Sequence, residues 1–340
     1  MSAEHRVGSS YPFVSVIVVN WNGKGRVEAC VESCRRLSYP NYEVIVVDNG
    51  STDGSAEIVE VSFPDVHLIR IGRNIGFARA SNKGILAAKG EYIAILANDI
   101  RVDSMWLSCL LNELVKSSDS GGGCVGVAGG LIYFQDAPEL IWGGGGFIDW
   151  LTGSMWHPHA YEKSVEIASD VDFVSGGATL IKREVFDRIG LLDEDYYLYS
   201  EDVDFCVQAR RAGFNVRSVP GAKSWHMTPI QQTWSQRGYY LGVCSRIRFY
   251  FKNSPFRYMF PTLIFQLVSR PIFEVLWFGA NPRFLLLNAR ALAMNLNRLR
   301  GIFLARRTVE RLGKCRTHFR TGGFIVTALD TLRGAKSYRW

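Results

Sequence analysis

The chain has no uninterrupted apolar run long enough to cross a bilayer. The strongest candidate, residues 258–279, is broken by Arg270, Pro271 and Glu274, whereas a spanning helix needs ~20 consecutive apolar residues. Met1 to Ser10 is polar and lacks the apolar core of a signal peptide, so the bulk of the chain is expected not to be exported. Cysteine is sparse and unpatterned: there are seven, an odd number, with no CxxC pair. Cys30 and Cys34 lie four apart on one face of a predicted helix. This usage points to reduced, mostly buried thiols in a cytosolic compartment and away from a disulfide framework. Acidic residues are scarce at one end. Residues 230–340 hold 19 Lys and Arg against three acids, Glu274, Glu310 and Asp330. Their net charge of +16 leaves −9 on residues 1–229 of the overall +7, so the high isoelectric point belongs to the tail. Zinc-finger spacings, RNA-reading signatures and a recognisable reader helix are all missing, and no nucleic-acid partner is expected.

At 340 residues the chain is longer than a usual single core. Val14 to Asn20 is a short β-branched run of the kind buried on both faces of a sheet. Apolar positions at Val27, Cys30, Val31, Cys34 and Leu37 then follow at helical spacing, and Glu43 to Asp48 is a second buried strand. Strand, helix and strand with short connections predict a right-handed parallel unit. The alternation continues through a helix capped by Ser51 or Asp53, a strand from His67 to Ile71, a helix from Phe77 to Ala88 and a strand from Glu91 to Ala97. An open doubly wound α/β sheet is expected, with its ligand beyond the carboxyl ends of the strands. Asn20, Asp48, Asn49, Asn98 and Asp99 stand where those apolar strands stop.

From Gly121 to Ile167 the alternation is lost to glycine clusters and to Trp142, Trp150, Trp156, His157 and His159. Irregular structure and short strands across the mouth of the sheet are expected there. Strand-like segments return at 171–174 and 178–181, with a helix from Arg183 to Ile189. A final strand from Asn215 to Val219 is expected to stop at Pro220-Gly221.

Tyr199-Ser200-Glu201-Asp202-Val203-Asp204-Phe205 places three carboxylates at a helix start whose apolar rhythm ends at Gly213. Acids there have a plain explanation, since the helix dipole stabilises them by up to about 1 kcal/mol. Three of them beside an aromatic run also suit an active cleft. Asp48, ahead of Asn49-Gly50-Ser51-Thr52-Asp53-Gly54, could bind a base or ribose hydroxyl, or simply make an Asx turn. Asn74-Ile75-Gly76 allows close backbone approach, and Arg79 with Lys83 could face phosphates or merely solvate a helix. Asp99 closes an apolar strand, where a carboxylate is costly unless paired or bound to a cation. Mg2+ or Mn2+ accepts one or two such carboxylates plus substrate phosphates, and His226 could add a nitrogen ligand or be structural.

Taken in order, Val16 to Gly23, Glu43 to Gly54, Asn74 to Gly84 and Tyr199 to Phe205 resemble family 2 glycosyltransferases, most of all the rhamnosyltransferase-like branch that builds cell-surface glycans. The resemblance runs from about Val14 to His226. It implies a GT-A fold and an inverting transfer of a sugar from a nucleotide diphosphate donor (dTDP-rhamnose, a UDP-sugar or a GDP-sugar) to an acceptor hydroxyl. It assigns Asn20 and Asp48 to the donor, Asp99 and His226 to a Mg2+ or Mn2+ ion, and Asp202, with Glu201 beside it, to the catalytic base; Asn49, Asn74, Gly76, Lys83 and Asn98, from the strand ends and the Asn74 to Gly84 stretch, are expected on the donor side too. Trp142, Trp156 and His157 fall on the acceptor side. The motif Ala97-Asn98-Asp99-Ile100-Arg101 offers one carboxylate where relatives often carry Asn-Pro-Asp-Thr, and Arg101 could supply part of the cation's charge. The alternatives are a sugar-phosphate nucleotidyltransferase, against which the Glu201-Asp202 pair argues, and a catalytically silent glycan-assembly scaffold.

The expected organisation is a GT-A domain over residues 12–230 followed by a basic, apolar helical region over 231–340. In the latter, residues 285–304 interleave an apolar face with Arg290, Arg298 and Arg300. Such a helix either lies in an anionic bilayer surface or packs on the catalytic domain with its basic face in water. The first reading puts the protein at the cytoplasmic face of the membrane with a glycan or polyprenyl-linked acceptor.

Overall fold

The computed structural model describes residues 11–119, 124–166, 168–227, 229, 235–272, 283–298 and 302. The glycines 121–123, residues 273–279 of the interrupted apolar stretch and most of 299–304 lie outside the described residues, as does everything after Ile302.

Every residue of β1 (Val14–Asn20) is buried, as its β-branched run requires. After α1 (Arg26–Arg35) comes β2 (Tyr42–Asp48), parallel to β1 with Asn20 opposite Asp48. Helix α2 (Ser55–Ser62), β3 (His67–Arg70), α3 (Phe77–Ala87) and β4 (Tyr92–Ala97) extend the winding. β1 pairs with both β2 and β4, so the carboxyl ends of three parallel strands converge on Asn20, Asp48 and Ala97. Short β5 (Ile100–Val102) and α4 (Trp106–Asp119) lead to β6 (Val125–Phe134), a fully buried strand of ten residues.

β6 corrects the expectation of irregular structure after Gly121. Gly126, Gly129 and Gly130 fall in the stretch expected to be irregular, yet they lie in the strand where neighbouring atoms leave no room for a Cβ. A Cβ on Gly129 would stand 2.6 Å from that of Val174. Small hairpin strands β7 (Ile141–Gly143), β8 (Gly145–Asp149) and β9 (Ser154–Trp156) follow, as expected for this stretch. Next come β10 (Ser169–Asp170), β11 (Phe173–Val174), β12 (Ala178–Lys182), α5 (Arg183–Ile189), α6 (Glu201–Arg211) and β13 (Asn215–His226).

The main sheet runs β10-β13-β6-β12-β4-β1-β2-β3. β12 lies antiparallel to both neighbours, between a parallel half and the β6–β13 pair, so the doubly wound sheet is mixed. β13 corrects a second expectation, because Pro220-Gly221 does not end the strand. The register slips between Val219 and Lys223, a bulge absorbs the proline, and pairing resumes to His226.

Beyond β13, α7 (Gln236–Asn253) packs into the same apolar core as α6, through Phe249 and Tyr250. α8 (Phe256–Ile264) continues through a π-helical turn, Phe265–Ser269, to Ile272, and α9 (Arg283–Asn297) lies against α7. None of the described helices is long and apolar enough to cross a membrane. The six described cysteines form no disulfide, and four of them are buried.

Candidate active site

At the carboxyl end of the sheet, buried amides and one carboxylate form a polar floor. Asn20 donates from Nδ2 to Asp48 Oδ1 (3.2 Å), Ser51 Oγ (3.2 Å) and Ser55 Oγ (2.9 Å), and its Oδ1 accepts from Asn98 Nδ2 at 2.8 Å. Asp48 Oδ2 accepts from the Ser51 amide at 3.2 Å, which is the Asx turn read from the sequence. Asn49 extends the floor by donating to Asn74 Oδ1 (3.2 Å) and to Gly76 O (3.3 Å) and accepting from the Ile75 amide (2.9 Å). Gly76 has φ +93°, and a Cβ there would meet Tyr197 O at 2.6 Å. Only glycine lets this turn close onto the 193–200 segment, where Tyr197 donates from its hydroxyl to Asn74 Oδ1 at 2.8 Å. Six of the seven expected donor residues thus form one connected cluster. Lys83 is exposed on α3 and no described contact joins it to them.

Asp99 and His226 meet at the end of the sheet because β13 pairs with β5, their side chains lying 3.3 Å apart at Oδ2 and Nε2. Burial raises the Asp99 pKa, but His226 and the nearby charge of Arg26 outweigh it and hold the carboxyl below its usual value. Trp142 stands edge-on to His226 with ring centroids 4.9 Å apart, and on its other side lies His157 at 6.1 Å. The His157 ring also packs on Phe173, with Nδ1 3.1 Å from Gly145 O. Burial holds its pKa below the usual histidine value, although the nearby charge of Asp202 works the other way. Trp156 instead packs on Phe147 within the small sheet.

Asp202 opens α6. Its Oδ2 accepts from the Gly176 amide and its Oδ1 from the Val203 amide, both at 2.8 Å. Burial nevertheless raises its pKa above the ordinary aspartate range. Tyr199 and Ser200, the two residues before the helix begins at Glu201, sit at φ +70° and +63°, a conformation that costs of order 1 kcal/mol each and turns the chain sharply into the helix. Glu201 and Asp202 both line a cavity of about 20 Å³ walled by Phe77, Ile95, Val127, Val174 and Phe205, room for one water molecule. Glu201 Oε2 has no hydrogen-bond partner, and burial together with the Asp202 charge pushes the Glu201 pKa up to about 8.

Two supports of this site have little or no trace in the sequence. Gly176, between the two strand-like segments 171–174 and 178–181, must be glycine, because a Cβ would lie 2.7 Å from that of Asp202. The second is an ion network behind α6. Lys252 on α7 reaches Asp204 and Asp193, each at 2.7 Å, while Arg248 pairs with Asp193 (3.0 Å) and Asp195 (2.7 Å). Asn253 donates to Asp204 at 2.6 Å and Ser245 to Leu198 O at 2.8 Å. These bonds fix both flanks of the strained turn that presents Asp202.

A mixed sheet with a polar floor at its carboxyl ends and an acidic helix start across from it defines the nucleotide-sugar transferase class of fold. GalNAc-T7, solved with UDP, GalNAc and Mn2+, superposes with a TM-score of 0.57 at 18% identity, over 83% of this chain and 54% of that one. The sequence model for glycosyl transferase family 2 matches residues 15–190, and the chain belongs to that family. Among curated proteins, it is 30% identical to the uncharacterized protein y4gI of Sinorhizobium fredii over 63% of this chain, and it spans only 24% of that protein's length. It is 28% identical to the N-acetylglucosaminyl-diphospho-decaprenol L-rhamnosyltransferase of Mycobacterium tuberculosis, over 62% of this chain and 75% of that one.

Proposed function

We propose that the protein is an inverting glycosyltransferase that moves a sugar from a nucleotide diphosphate to a hydroxyl of a polyprenyl-linked glycan at the cytoplasmic face of a membrane. In this reading residues 12–230 form the catalytic domain and residues 231–340 the membrane-associating region. The observation that supports it is the run of contacts from Asp99 through His226 and Trp142 to His157, a ring near enough to Asp202 to feel its charge. In this reading a pair of metal-type ligands and a carboxylate base stand at two ends of one aromatic wall. The rhamnosyltransferase relative, whose name specifies a decaprenyl diphosphate-linked acceptor, supports the same acceptor chemistry.

Asn20, Asp48, Asn49, Asn74 and Asn98 present fixed amide and carboxylate groups to the nucleoside, the types that recognise a base edge or ribose hydroxyl. Asp99 and His226 fit a Mg2+ or Mn2+ ion of the kind that takes one or two protein ligands and completes its shell with phosphate oxygens. No described group of three or more acidic, histidine or cysteine side chains offers a fuller cage. When bound, such an ion would supply neutralising charge for the departing diphosphate. Asp202 removes the acceptor proton as the hydroxyl attacks the face of the anomeric carbon opposite the leaving group. Its raised pKa matches that task, since a stronger base takes the proton more readily. Amides of Gly176 and Val203 aim the carboxylate, and Trp142 with His157 forms the wall along which the acceptor enters.

Release of nucleoside diphosphate from UDP-, GDP- and dTDP-sugars, with a polyprenyl diphosphate-linked sugar as acceptor, tests this. One donor should turn over in wild type, lose activity in EDTA, and fall by at least 10³-fold in Asp202→Asn, the scale of losing a general base and its positioning. Turnover undiminished in Asp202→Asn would remove Asp202 from its role.

A further inference from the structure

Two of the helices after β13 turn large apolar side chains outward while burying polar ones. Along α8 and its π turn the exposed large side chains are Phe256 (74%), Phe260 (63%), Ile264 (61%), Val268 (53%) and Ile272 (46%). They stand four residues apart without exception. In a regular α-helix that spacing drifts by about 40° per step, and the wider i→i+5 turn at Phe265–Ser269 slows the drift, so the five side chains keep to one stripe.

The buried face of the same helix is mixed, with polar side chains beside Met259. Thr262 donates to Trp150 O at 2.5 Å, and Gln266 donates to Thr152 O and Gly153 O, both at 2.9 Å. α9 repeats the pattern: Asn288 and Asn295 are buried and donate to Tyr239 Oη (2.8 Å) and Cys244 O (3.1 Å), while Leu286 and Leu296 are exposed. A helix on a water-facing surface does the opposite. A row of apolar side chains of this size facing outward marks a surface that meets something other than water.

We infer that the stripe Phe256–Phe260–Ile264–Val268–Ile272 is a monotopic docking face, lying in the plane of an anionic bilayer with its side chains in the outer acyl region. Charge decides the occupant. No acidic residue occurs between Gln236 and Ile272 or between Arg283 and Asn297, and Arg257, Arg290 and Arg298 are exposed on these helices. Stacking two such faces in a homodimer would bring cations together, whereas anionic headgroups neutralise them. The helix is about 25 Å long at 1.5 Å per residue, and its other face is packed against the protein through Thr262, Gln266 and Leu267, which suits lying on the membrane and not crossing it.

The stripe is tied to the active site. Thr262 and Gln266 hold the Trp150–Gly153 turn, which joins β8 to β9, and His157 follows β9 directly. Docking therefore holds the aromatic acceptor wall beside the bilayer. The docking deepens the proposed membrane association of residues 231–340, and its purpose rests on the proposed lipid-linked acceptor.

The test is flotation of the full chain with phosphatidylcholine vesicles, with and without phosphatidylglycerol, comparing wild type with Phe260→Glu/Ile264→Glu. Leu86→Glu serves as a control, since Leu86 is an equally exposed apolar side chain on α3 (69%). Wild type and Leu86→Glu should float with the anionic vesicles. The double variant should lose at least tenfold in partition at unchanged melting temperature, because both of its side chains already face outward. Equal flotation of the double variant overturns the inference. So does a double variant that floats normally but dissociates from dimer to monomer in sedimentation velocity, which would give the stripe to a second copy. Vesicle binding lost as expected, with no transfer to any polyprenyl acceptor by wild type, would refute the acceptor and leave the docking face standing.

Discussion

Replacing Glu201 by Gln separates the two carboxylates at the start of α6. Unfolded, the Glu201 side chain titrates near 4.5, whereas folded it titrates at about 8, because burial and the Asp202 charge disfavour its ionised form. Below pH 4.5 both states hold the proton and the site costs nothing. Between the two values the unfolded chain releases a proton that the folded chain keeps, so stability falls as pH rises, by about 1.4 kcal/mol per pH unit. Over that interval the loss reaches roughly 5 kcal/mol, and above pH 8 it is constant. Glutamine keeps the shape and neutrality of the protonated acid and never ionises. Glu201→Gln should therefore match wild type near pH 4.5 and exceed it by roughly 5 kcal/mol at pH 8.5. At about 2.1 cal/mol/K per residue of unfolding entropy, that is a melting-temperature gain of about 7 °C for a chain of this length. Thermal melts of both proteins from pH 4.5 to 9 measure it directly. Turnover of Glu201→Gln at pH 7 should stay within a few-fold of wild type, since the neutral carboxyl is not the base. A stability difference that does not grow with pH, or a variant less stable at every pH, would refute the reasoning.

Lys252→Met should destabilise the fold by about 3–5 kcal/mol, because it leaves the buried carboxylates of Asp204 and Asp193 without their shared cation. Denaturant titration reads that loss, and an effect below about 1 kcal/mol would mean that Arg248 and Asn253 neutralise the pair unaided. Gly176→Ala should lower kcat by about 10- to 100-fold with little change in the donor KM, since the added methyl displaces Asp202 and not the nucleotide floor. Steady-state kinetics decide this, and a kcat within twofold of wild type would show that the Gly176 amide does not aim the base.

The polar floor of the site was legible in the chain, because short connections and β-branched runs leave few ways to arrange β1, β2 and β4. Asn20, Asp48 and Asn98 stand at strand ends by spacing alone. The acid-opened α6, closed by Gly213 at φ +93°, was equally readable. What spacing could not carry was distance through space. β6 looked like a loop because its glycines serve packing, and β13 looked finished at Pro220 because a bulge leaves no residue signature of its own. His226 meets Asp99 only because that bulged strand pairs with β5, and Lys252 meets Asp204 only because α7 folds back across 48 residues of chain.

Composition likewise determined that the last third is basic and apolar, but not which side of each helix faces out. Helical periodicity groups residues onto faces without saying which face turns toward the protein. Here Thr262, Gln266, Asn288 and Asn295 find hydrogen-bond partners in the catalytic domain and in α7 and turn inward, and the phenylalanines and isoleucines are left outside. Local sequence sets the elements and their amphipathic order, whereas the partners available to each polar group exist only once the chain has folded.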